Sequence, residues 1–449
     1  MISLARKLRL ADFFSLGFGT MVGVGWLVVM DDWLGRGGPL GAVLGFVIGG
    51  AVLLPIGIVY GHLVRAMPDA AGEIAYTAAV FPRFVSYATG WMMLLAYYIV
   101  CPWEAVAIGR IAGYLFPTLN SIELYRVASK PVYLPHLVIG LVLTAFLTVV
   151  NYRGIRLSAT FQNWTTFGVI LLVLSFVGAG MTHGSTANFH PLFHGSALVS
   201  VLLVLQIVPY FMTGFESIGK ASEEARADFQ PRRFMLAILL AIVVGATFYV
   251  TVIVAVAYVA PWRTLVHEHF ATAVAFERAL GSQWIVRLIM TAALLSLLKV
   301  FNGNLVAASR VLFALGRRGL TDKRLGHVHP VNRTPSTAVI CIGAFTALVM
   351  FGGESLLVPV SEVGSLASAL GWMASCAAFL RMRPSTWGRA AAATGLIVTS
   401  AMLLMKVLPE VPGHFDKYEW LALAVWVVLG LLLRRKARPG ESAATGECG

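Results

Sequence analysis

Charge is scarce in this sequence of 449 residues, of which only 12% are Asp, Glu, Lys or Arg. Soluble domains carry about 25% charged residues, so the scarcity excludes an ordinary soluble protein. Hydrophobic residues make up 58% of the chain, and its mean hydropathy is +0.80. The alternating strands of a membrane barrel are absent as well. The composition therefore predicts an all-α integral membrane protein.

Cysteine is also rare, with four residues in the chain. Cys101, Cys341 and Cys376 lie in apolar runs and Cys448 lies in the polar tail, so no disulfide framework or metal site is implied. HExxH, GxSxG and P-loop motifs are missing, and so is a repeated filter sequence. We therefore expect no catalytic residues, no metal and no cofactor, and we keep a membrane enzyme and a channel as rival classes.

Apolar runs of about 20 residues recur along the chain, and they predict twelve membrane-spanning helices. The predicted spans are residues 13–34, 40–64, 85–116, 132–152, 160–181, 197–218, 234–260, 284–315, 336–351, 356–380, 391–408 and 420–433.

Lys and Arg concentrate in the loops that lie on the same side of the membrane as the N-terminus, for example at Arg232, Arg233, Arg317 and Arg318. The positive-inside rule then predicts that both termini lie in the cytoplasm. The chain is accordingly expected to be a multi-pass protein of the cytoplasmic membrane. Topology explains the net charge of +13, because the basic residues are spread over span ends and form no single soluble face. We expect the lipid bilayer, and no nucleic acid, as a partner.

Two of the spans contain helix-weakening residues at half depth. The first carries "MVGVGW" at residues 21–26, and the sixth carries "YFMTGFES" at residues 210–217 after Pro209. Interrupted helices at corresponding positions of two halves indicate a transporter's binding site, because a ligand, an ion or water can satisfy the freed backbone. For one such cluster taken alone, close helix packing at small residues is the alternative explanation.

Several stretches resemble the amino acid–polyamine–organocation superfamily. "GTMVGVGW" (19–26) is similar to its first-helix signature and "FMTGFES" (211–217) to its sixth-helix motif. "MPDAAGEIAYTAAVFP" (67–82) and "AASRVLFALGRRGL" (307–320) are similar to its connector and to the end of its eighth helix. The resemblance covers about residues 10–383. Val24 and Trp26 depart from the family pattern, in which a small polar residue and an aliphatic residue are usual at these positions.

The resemblance implies a leucine-transporter-type fold with a five-plus-five inverted repeat. Residues 1–383 would form the core, with repeat one at about 10–182 and repeat two at about 197–383, and residues 384–449 would add two accessory helices and a tail. It also implies that backbone near Gly23 holds a substrate carboxylate, that backbone near Gly214 holds its amino group, and that Phe215 gates the site. The candidate substrate-binding residues are Val22, Gly23, Val24, Gly25, Trp26, Glu104, Phe211, Thr213, Gly214 and Phe215.

Glu104 is a carboxylate far inside the third apolar span. Such a group costs roughly 2.5–3.5 kcal/mol on insertion scales, so we expect it to face the bundle interior. It would serve as a counter-ion for a substrate amine or as the protonatable coupling group. A buried pair with Arg110 or Lys299, or a place nearer the external interface, is the structural alternative.

Lys299, Glu216 and Glu104 are the candidate coupling residues. Lys299 lies at the depth where sodium-coupled relatives of this superfamily bind sodium, and some sodium-independent relatives place a lysine from helix five there. Helix five has no lysine in this chain, so we expect Lys299 to substitute from helix eight; snorkelling to an interface is the alternative. Asn302 and Asn304 would line the same cavity or link helices.

The sequence therefore predicts a secondary active transporter that works by alternating access. Its expected cargo is an amino acid, moved by proton symport or exchange without sodium. A polyamine or another organic amine is the alternative cargo.

Overall fold

The computed structural model describes residues 4–127, 130–268, 270–411 and 414–435, apart from the side chains at 209 and 354–361. The predicted cytoplasmic tail with Cys448 lies outside the described residues. The helices of the first half are α1 Leu10–Met21, α2 Gly25–Val28, α3 Met30–Ala66, α4 Glu73–Ala78, α5 Arg83–Tyr98, α6 Val100–Leu115, α7 Leu134–Arg153 and α8 Ile155–Gly180. Those of the second half are α9 Ala197–Leu205, α10 Val208–Met212, α11 Ser217–Lys220, α12 Arg232–Val259, α13 Ala271–Leu280, α14 Gln283–Arg317, α15 Ser336–Val349, α16 Gly353–Arg381, α17 Thr386–Val407 and α18 Lys417–Leu433.

Short elements join these helices. Strands β1 Glu123–Val127 and β2 Lys130–Tyr133 form an antiparallel pair, in which Arg126 lies opposite Pro131. Single 3₁₀ turns lie at Pro117–Leu119, Thr186–Phe189, Ser222–Glu224, Trp262–Thr264, Lys323–Gly326 and Met350–Gly352.

The membrane-spanning pattern agrees with the sequence. Within the described ranges, nine helical segments are long and apolar enough to cross a membrane. The broken run α9 to α11, the 14-residue helix α15 and the 17-residue helix α18 occupy the other three predicted spans. The all-α membrane fold is therefore confirmed.

Proline lies at two interruptions of the helical backbone. The helix α3 combines the end of the first span with the second, since Gly38 interrupts it with φ 62° just before Pro39. The third span, predicted as continuous, divides into α5 and α6. Pro102 lacks the N–H that would bond back to Tyr98, and the next bond, from Trp103 N to Ile99 O, is 3.4 Å long.

The bundle is centred on the two broken spans. The helix α1 contacts α8, α12 and α14, and α11 contacts α1, α12 and α14, so both breaks lie at the middle of the bundle. The helix α17 contacts α16 and α3, whereas α18 contacts α16, which places these last two helices at the outside. The division into two inverted repeats and accessory helices stays a prediction.

Candidate functional site

The first break lies at residues 22–24, between α1 and α2. Val22 is extended, with φ −89° and ψ 95°, so the carbonyls that follow α1 leave the helical ladder. Helix α14 supplies their donors: Ser296 Oγ lies 3.3 Å from Val22 O and 2.7 Å from Gly23 O, and Lys299 Nζ also donates to Val22 O. The unwound backbone is therefore held on the α14 side by a hydroxyl and an ammonium.

The second break lies at residues 213–216, between α10 and α11. Thr213 is extended with ψ 136°, and Gly214 has φ +134°, a conformation that side-chain-bearing residues rarely adopt. A Cβ on Gly214 would lie 2.7 Å from Met21 N and 2.8 Å from the carbonyl carbon of Thr20. The two broken spans therefore touch backbone to backbone, and glycine is what allows the approach.

A cavity of about 260 Å³ lies between the two breaks. The lining residues that the sequence analysis predicted are Gly23, Val24, Gly25, Glu104, Phe211, Thr213 and Asn304. Further lining residues, which it did not single out for the site, include Thr20, Trp103, Tyr210, Glu362 and Ser368. The cavity is therefore bounded by both broken spans and by helices α6, α14 and α16.

Glu104 is the buried carboxylate of this cavity. Its side chain is 3% exposed, and its Oε1 lies 3.2 Å from where a Cβ on Gly23 would be. Its Oε2 has no hydrogen-bond partner within the described part of the chain. Lys299 is the charged group that interacts with it, whereas Arg110 lines a separate small cavity beside His136. Glu104 therefore presents one free acceptor next to the first break.

Three of the predicted residues lie behind the cavity wall. Val22 is fully buried and contributes its carbonyl to Lys299. Trp26 is fully buried and stacks on Phe176 with the ring centroids 5.7 Å apart. Phe215 is fully buried between other aromatic rings, and its closest centroid is that of Trp372 at 5.5 Å. The geometry thus puts the side chains of these three residues out of direct reach of the cavity.

The polar residues of α14 lie on different faces of that helix. Asn304 lines the cavity and donates to Thr20 O over 3.2 Å. Asn302 turns away and joins a buried network, with Asn151 Nδ2 donating to its Oδ1 over 2.9 Å and its own Nδ2 donating to Gln162 Oε1 over 2.7 Å. Of the two roles predicted for these asparagines, Asn304 therefore lines the cavity and Asn302 links helices.

Tyr249 and Ser296 are site residues that the sequence analysis missed. The Tyr249 hydroxyl lies 3.2 Å from Met21 O and 3.3 Å from Phe211 O, so it connects the two broken spans. Nothing in the pattern of α12 marks this tyrosine. Ser296 precedes Lys299 by three residues, which places both on one face of α14, and that spacing was a usable signal.

Aromatic rings fill the space beside the first break. Phe211 approaches Gly25, where a Cβ would lie 2.5 Å from its ring. Its ring also contacts Trp33, with the centroids 4.8 Å apart. Phe211, and not Phe215, is therefore the aromatic side chain of the sixth-span motif that borders the cavity.

The cavity extends to one end of the molecule. Asp32 and Arg36 line it and form an ion pair of 2.7 Å, with side chains 43% and 33% exposed. Glu362 also lines it and pairs with Lys406 of α17, and the Glu362 side chain is 34% exposed. The route from the breaks to this end is therefore lined by polar, partly solvated groups.

The other end is closed by ion pairs that are buried. Lys220 of α11 pairs with Glu73 of α4, and the Tyr60 hydroxyl donates to the same Glu73 carboxylate over 2.8 Å. Arg310 of α14 pairs with Glu224 over 2.9 Å, and both side chains are fully buried. These pairs connect the segments that follow the second break to α4 and α14.

A half-exposed cluster continues this closure toward the surface. Arg317 and Arg318 at the end of α14 hold Asp69, and Arg317 also contacts Glu223. Burial raises the pKa of the Asp69 carboxyl. The Arg318 guanidinium and further hydrogen-bond donors lower it by more, so this pKa lies below its ordinary value. Asp69 is therefore ionised near neutral pH.

Glu216 lies at the edge of the second break and does not line the cavity. Its Oε2 accepts from Gly214 N over 3.1 Å, and its backbone carbonyl accepts from Lys220 Nζ over 3.3 Å. Its Oε1 has no partner among the described residues. Glu216 thus connects the unwound backbone to the ion pairs of the closed end.

Comparison with known proteins gives matches over nearly the whole chain. A family model described as amino acid permease matches residues 8–432. The branched-chain amino acid permease BcaP of Bacillus subtilis is 25% identical over 423 residues, covering 92% of this chain and 84% of that protein. The methylthioribose transporter of the same organism is 24% identical over 446 residues, covering 96% and 93%. The aspartate-proton symporter of that organism is 23% identical over 348 residues, covering 74% and 65%.

Proposed function

The chain belongs to the amino acid permease family, and from this premise we propose that it carries an amino acid through the cavity between its two broken spans. It is a multi-pass membrane transporter and not an enzyme. The observation that supports the site is a cavity of about 260 Å³ that meets unwound backbone from both spans and a buried carboxylate with a free oxygen. The proposed location is the cytoplasmic membrane with both termini in the cytoplasm, because Lys and Arg concentrate in the loops on that side.

The proposed docking uses the polarity of the two breaks. The N–H groups that open α2 near Gly23 and Gly25 suit a substrate carboxylate, and the carbonyls that end α10 near Thr213 suit its amino group. Both segments line the cavity, and Gly214 holds them in contact. An amino acid main chain would therefore bridge the breaks, with its side chain toward Phe211 and Tyr210.

Glu104 is the group that would take up a proton when an amino acid binds. Its Oε1 lies beside Gly23, where the substrate carboxylate is expected. An ionised Glu104 would repel that carboxylate in a low-dielectric cavity, whereas a protonated Glu104 would donate a hydrogen bond to it. Binding of a zwitterionic amino acid then brings one proton with it, which is the basis of symport.

Lys299 supports transport without sodium. A sodium ion between α1 and α14 would need the carbonyls freed at the first break as ligands. The ammonium of Lys299 already contacts Val22 O, and Ser296 Oγ contacts Gly23 O. The positive charge is thus supplied by the protein, and replacing external sodium by choline should leave uptake unchanged.

An organic amine without a carboxylate is the second candidate cargo, and the free oxygen of Glu104 favours it. An ionised Glu104 would pair with such an amine directly. The two cargoes make opposite demands on Glu104, because an amine needs its charge and an amino acid needs its proton. Replacement of Glu104 by glutamine, which carries no charge, therefore distinguishes the two cargoes.

The test is counterflow in proteoliposomes with a panel of amino acids and amines. Unlabelled substrate inside the vesicles should accelerate entry of label through this carrier, which a channel would not show. We expect amino acids to support counterflow. For Glu104→Gln, amino acid counterflow should persist while accumulation driven by an inward proton gradient is lost. If the wild type instead showed counterflow with amines and none with amino acids, and Glu104→Gln lost the counterflow of amines, the second candidate would be correct.

Glu362→Gln is the matched control, since Glu362 is a second carboxylate on the same cavity that is paired and partly solvated. It should keep its response to a proton gradient. If Glu104→Gln also kept that response, the proposed role of Glu104 would be wrong.

A further inference from the structure

A second cavity, of about 560 Å³, lies at the end of the bundle opposite the Asp32–Arg36 opening. Its walls come from the segment before α1, the first turns of α1 and α8, and the residues that follow the 3₁₀ turn Ser222–Glu224. The charged side chains that line it are Arg6, Lys7, Arg9, Arg156, Arg226 and Asp12. Five cations thus surround one carboxylate.

The one carboxylate in this cavity can offset only one of the five positive charges, and both of its oxygens already accept hydrogen bonds. Asp12 Oδ1 accepts from Asn163 Nδ2 over 2.6 Å, and its Oδ2 accepts from the backbone N–H of Arg9 over 2.7 Å. Arg226 is engaged by Asp228 outside the cavity over 2.9 Å. Lys7 and Arg156 are exposed and have no ion-pair partner in the ranges that the structure describes. The cavity therefore has an excess of positive charge.

The surface beside this cavity is apolar and belongs to a membrane span. Arg156 is the second residue of α8, and its neighbour Leu157 is 49% exposed. Further along the same helix, Trp164 is 78% exposed and Phe167 is 48% exposed. Exposed Trp is enriched where headgroups meet hydrocarbon, so this part of α8 lies at the membrane interface. A ligand with a phosphate and acyl chains fits both surfaces, whereas a free phosphate uses the cations alone.

We propose that this cavity binds the phosphate headgroup of an anionic phospholipid, with its acyl chains along the exposed apolar face of α8. Basic pockets between spans on the cytoplasmic side are a recognised form of headgroup site. The proposal goes beyond amino acid transport and does not depend on which substrate the transporter carries.

The site also connects elements of the closed end. Lys7 N and Leu8 N donate to Glu224 O over 2.8 and 2.9 Å, and Arg226 N donates to Leu8 O over 3.1 Å. The segment before α1 is thus attached to the residues that follow the second break. A headgroup held by Lys7 and Arg156 would attach that segment to α8 as well, so bound lipid should stabilise the protein.

The test uses the purified full-length protein and phosphatidylglycerol, with phosphatidylcholine as the neutral lipid. Native mass spectrometry measures bound lipid, and thermal melting in detergent measures its effect on stability. Each cation near an anionic headgroup contributes about fivefold to affinity. The double variant Lys7→Gln/Arg156→Gln should therefore bind phosphatidylglycerol about 25-fold more weakly and lose its stabilisation. Lys7→Arg/Arg156→Lys should bind as the wild type does.

The matched control is Arg153→Gln/Arg232→Gln, which removes two exposed cations from the same face outside the cavity. It should bind phosphatidylglycerol normally. An equal loss in both double variants would reduce the effect to general surface charge and overturn the proposal. Equal stabilisation by water-soluble glycerol phosphate would also overturn it, because the site would then hold a free anion. Neither readout requires transport, so failure here is distinct from failure of the proposed function.

Discussion

Replacement of Gly214 by alanine tests the contact on which the proposed site depends. The added Cβ would lie 2.7 Å from Met21 N and 2.8 Å from the carbonyl carbon of Thr20. Both atoms belong to backbone that is fixed by its own span, so no side-chain rotation can relieve the clash. The two broken spans would have to separate.

Two costs add at this position. A residue with a side chain at a strained positive φ costs about 1–3 kcal/mol. Overpacking of a tight contact costs about 1–3 kcal/mol more. We therefore expect Gly214→Ala to destabilise the protein by about 2–6 kcal/mol, and to change the cavity because Thr213 and Gly25 line it from the two separated segments.

Gly281 provides the matched control. It has φ +59° and follows α13, but a Cβ there would meet nothing within 4 Å. Gly281→Ala should therefore show backbone strain alone, about 1–2 kcal/mol. Thermal melting in detergent and substrate counterflow are measured for both variants. If Gly214→Ala melted no lower than Gly281→Ala and kept full counterflow, the close approach of the two breaks would not support the site.

Three further predictions concern the rest of the molecule. Because the pKa of Asp69 is lowered in the folded state, its contribution to stability is present above the pKa of the unfolded chain and is lost as the pH falls through the folded value. Asp69→Asn should therefore flatten the fall of the melting temperature on acidification below about pH 4. Asn302→Leu should cost about 1–3 kcal/mol of stability, measured by thermal melting, because it leaves buried amide partners unsatisfied. Arg310→Met should cost about 3–5 kcal/mol, whereas Arg310→Met/Glu224→Leu should melt near the wild-type temperature, since an apolar pair of similar volume replaces the ions.

The membrane spans were predictable because length and hydropathy suffice for them. The span predicted at 234–260 is α12 Arg232–Val259, and that predicted at 391–408 is α17 Thr386–Val407. Helix α13 and the β1–β2 hairpin were not predicted, because each is too short to cross the hydrocarbon and is polar enough to be taken for a loop. Their positions depend on packing against the bundle ends, which the sequence pattern does not encode.

The positions of the two breaks were predictable, but the directions of their side chains were not. Glycine and proline mark where a helix can open, so residues 22–24 and 213–216 fall inside the stretches chosen from the sequence. Trp26 lies two residues after the first unwound segment and Phe215 lies within the second, and both side chains are nevertheless buried behind the cavity wall. Glu362 reaches the cavity from α16, and only tertiary packing brings it there.

The two ends of the bundle differ in their ion pairs, and this difference bears on the proposed transport by alternating access. At the open end the Asp32–Arg36 pair is partly solvated and lies within α3, so it joins no two segments and contributes only about 0–1 kcal/mol. At the other end Arg310 and Glu224 are fully buried, and separating them without water would leave two uncompensated charges. Opening of that end must therefore hydrate both groups as it separates them. Hydration offsets the lost attraction, which an apolar seal could not do, because exposing apolar surface to water is itself unfavourable. A buried ion pair is thus a closure that water can release, which suits the proposed alternating access.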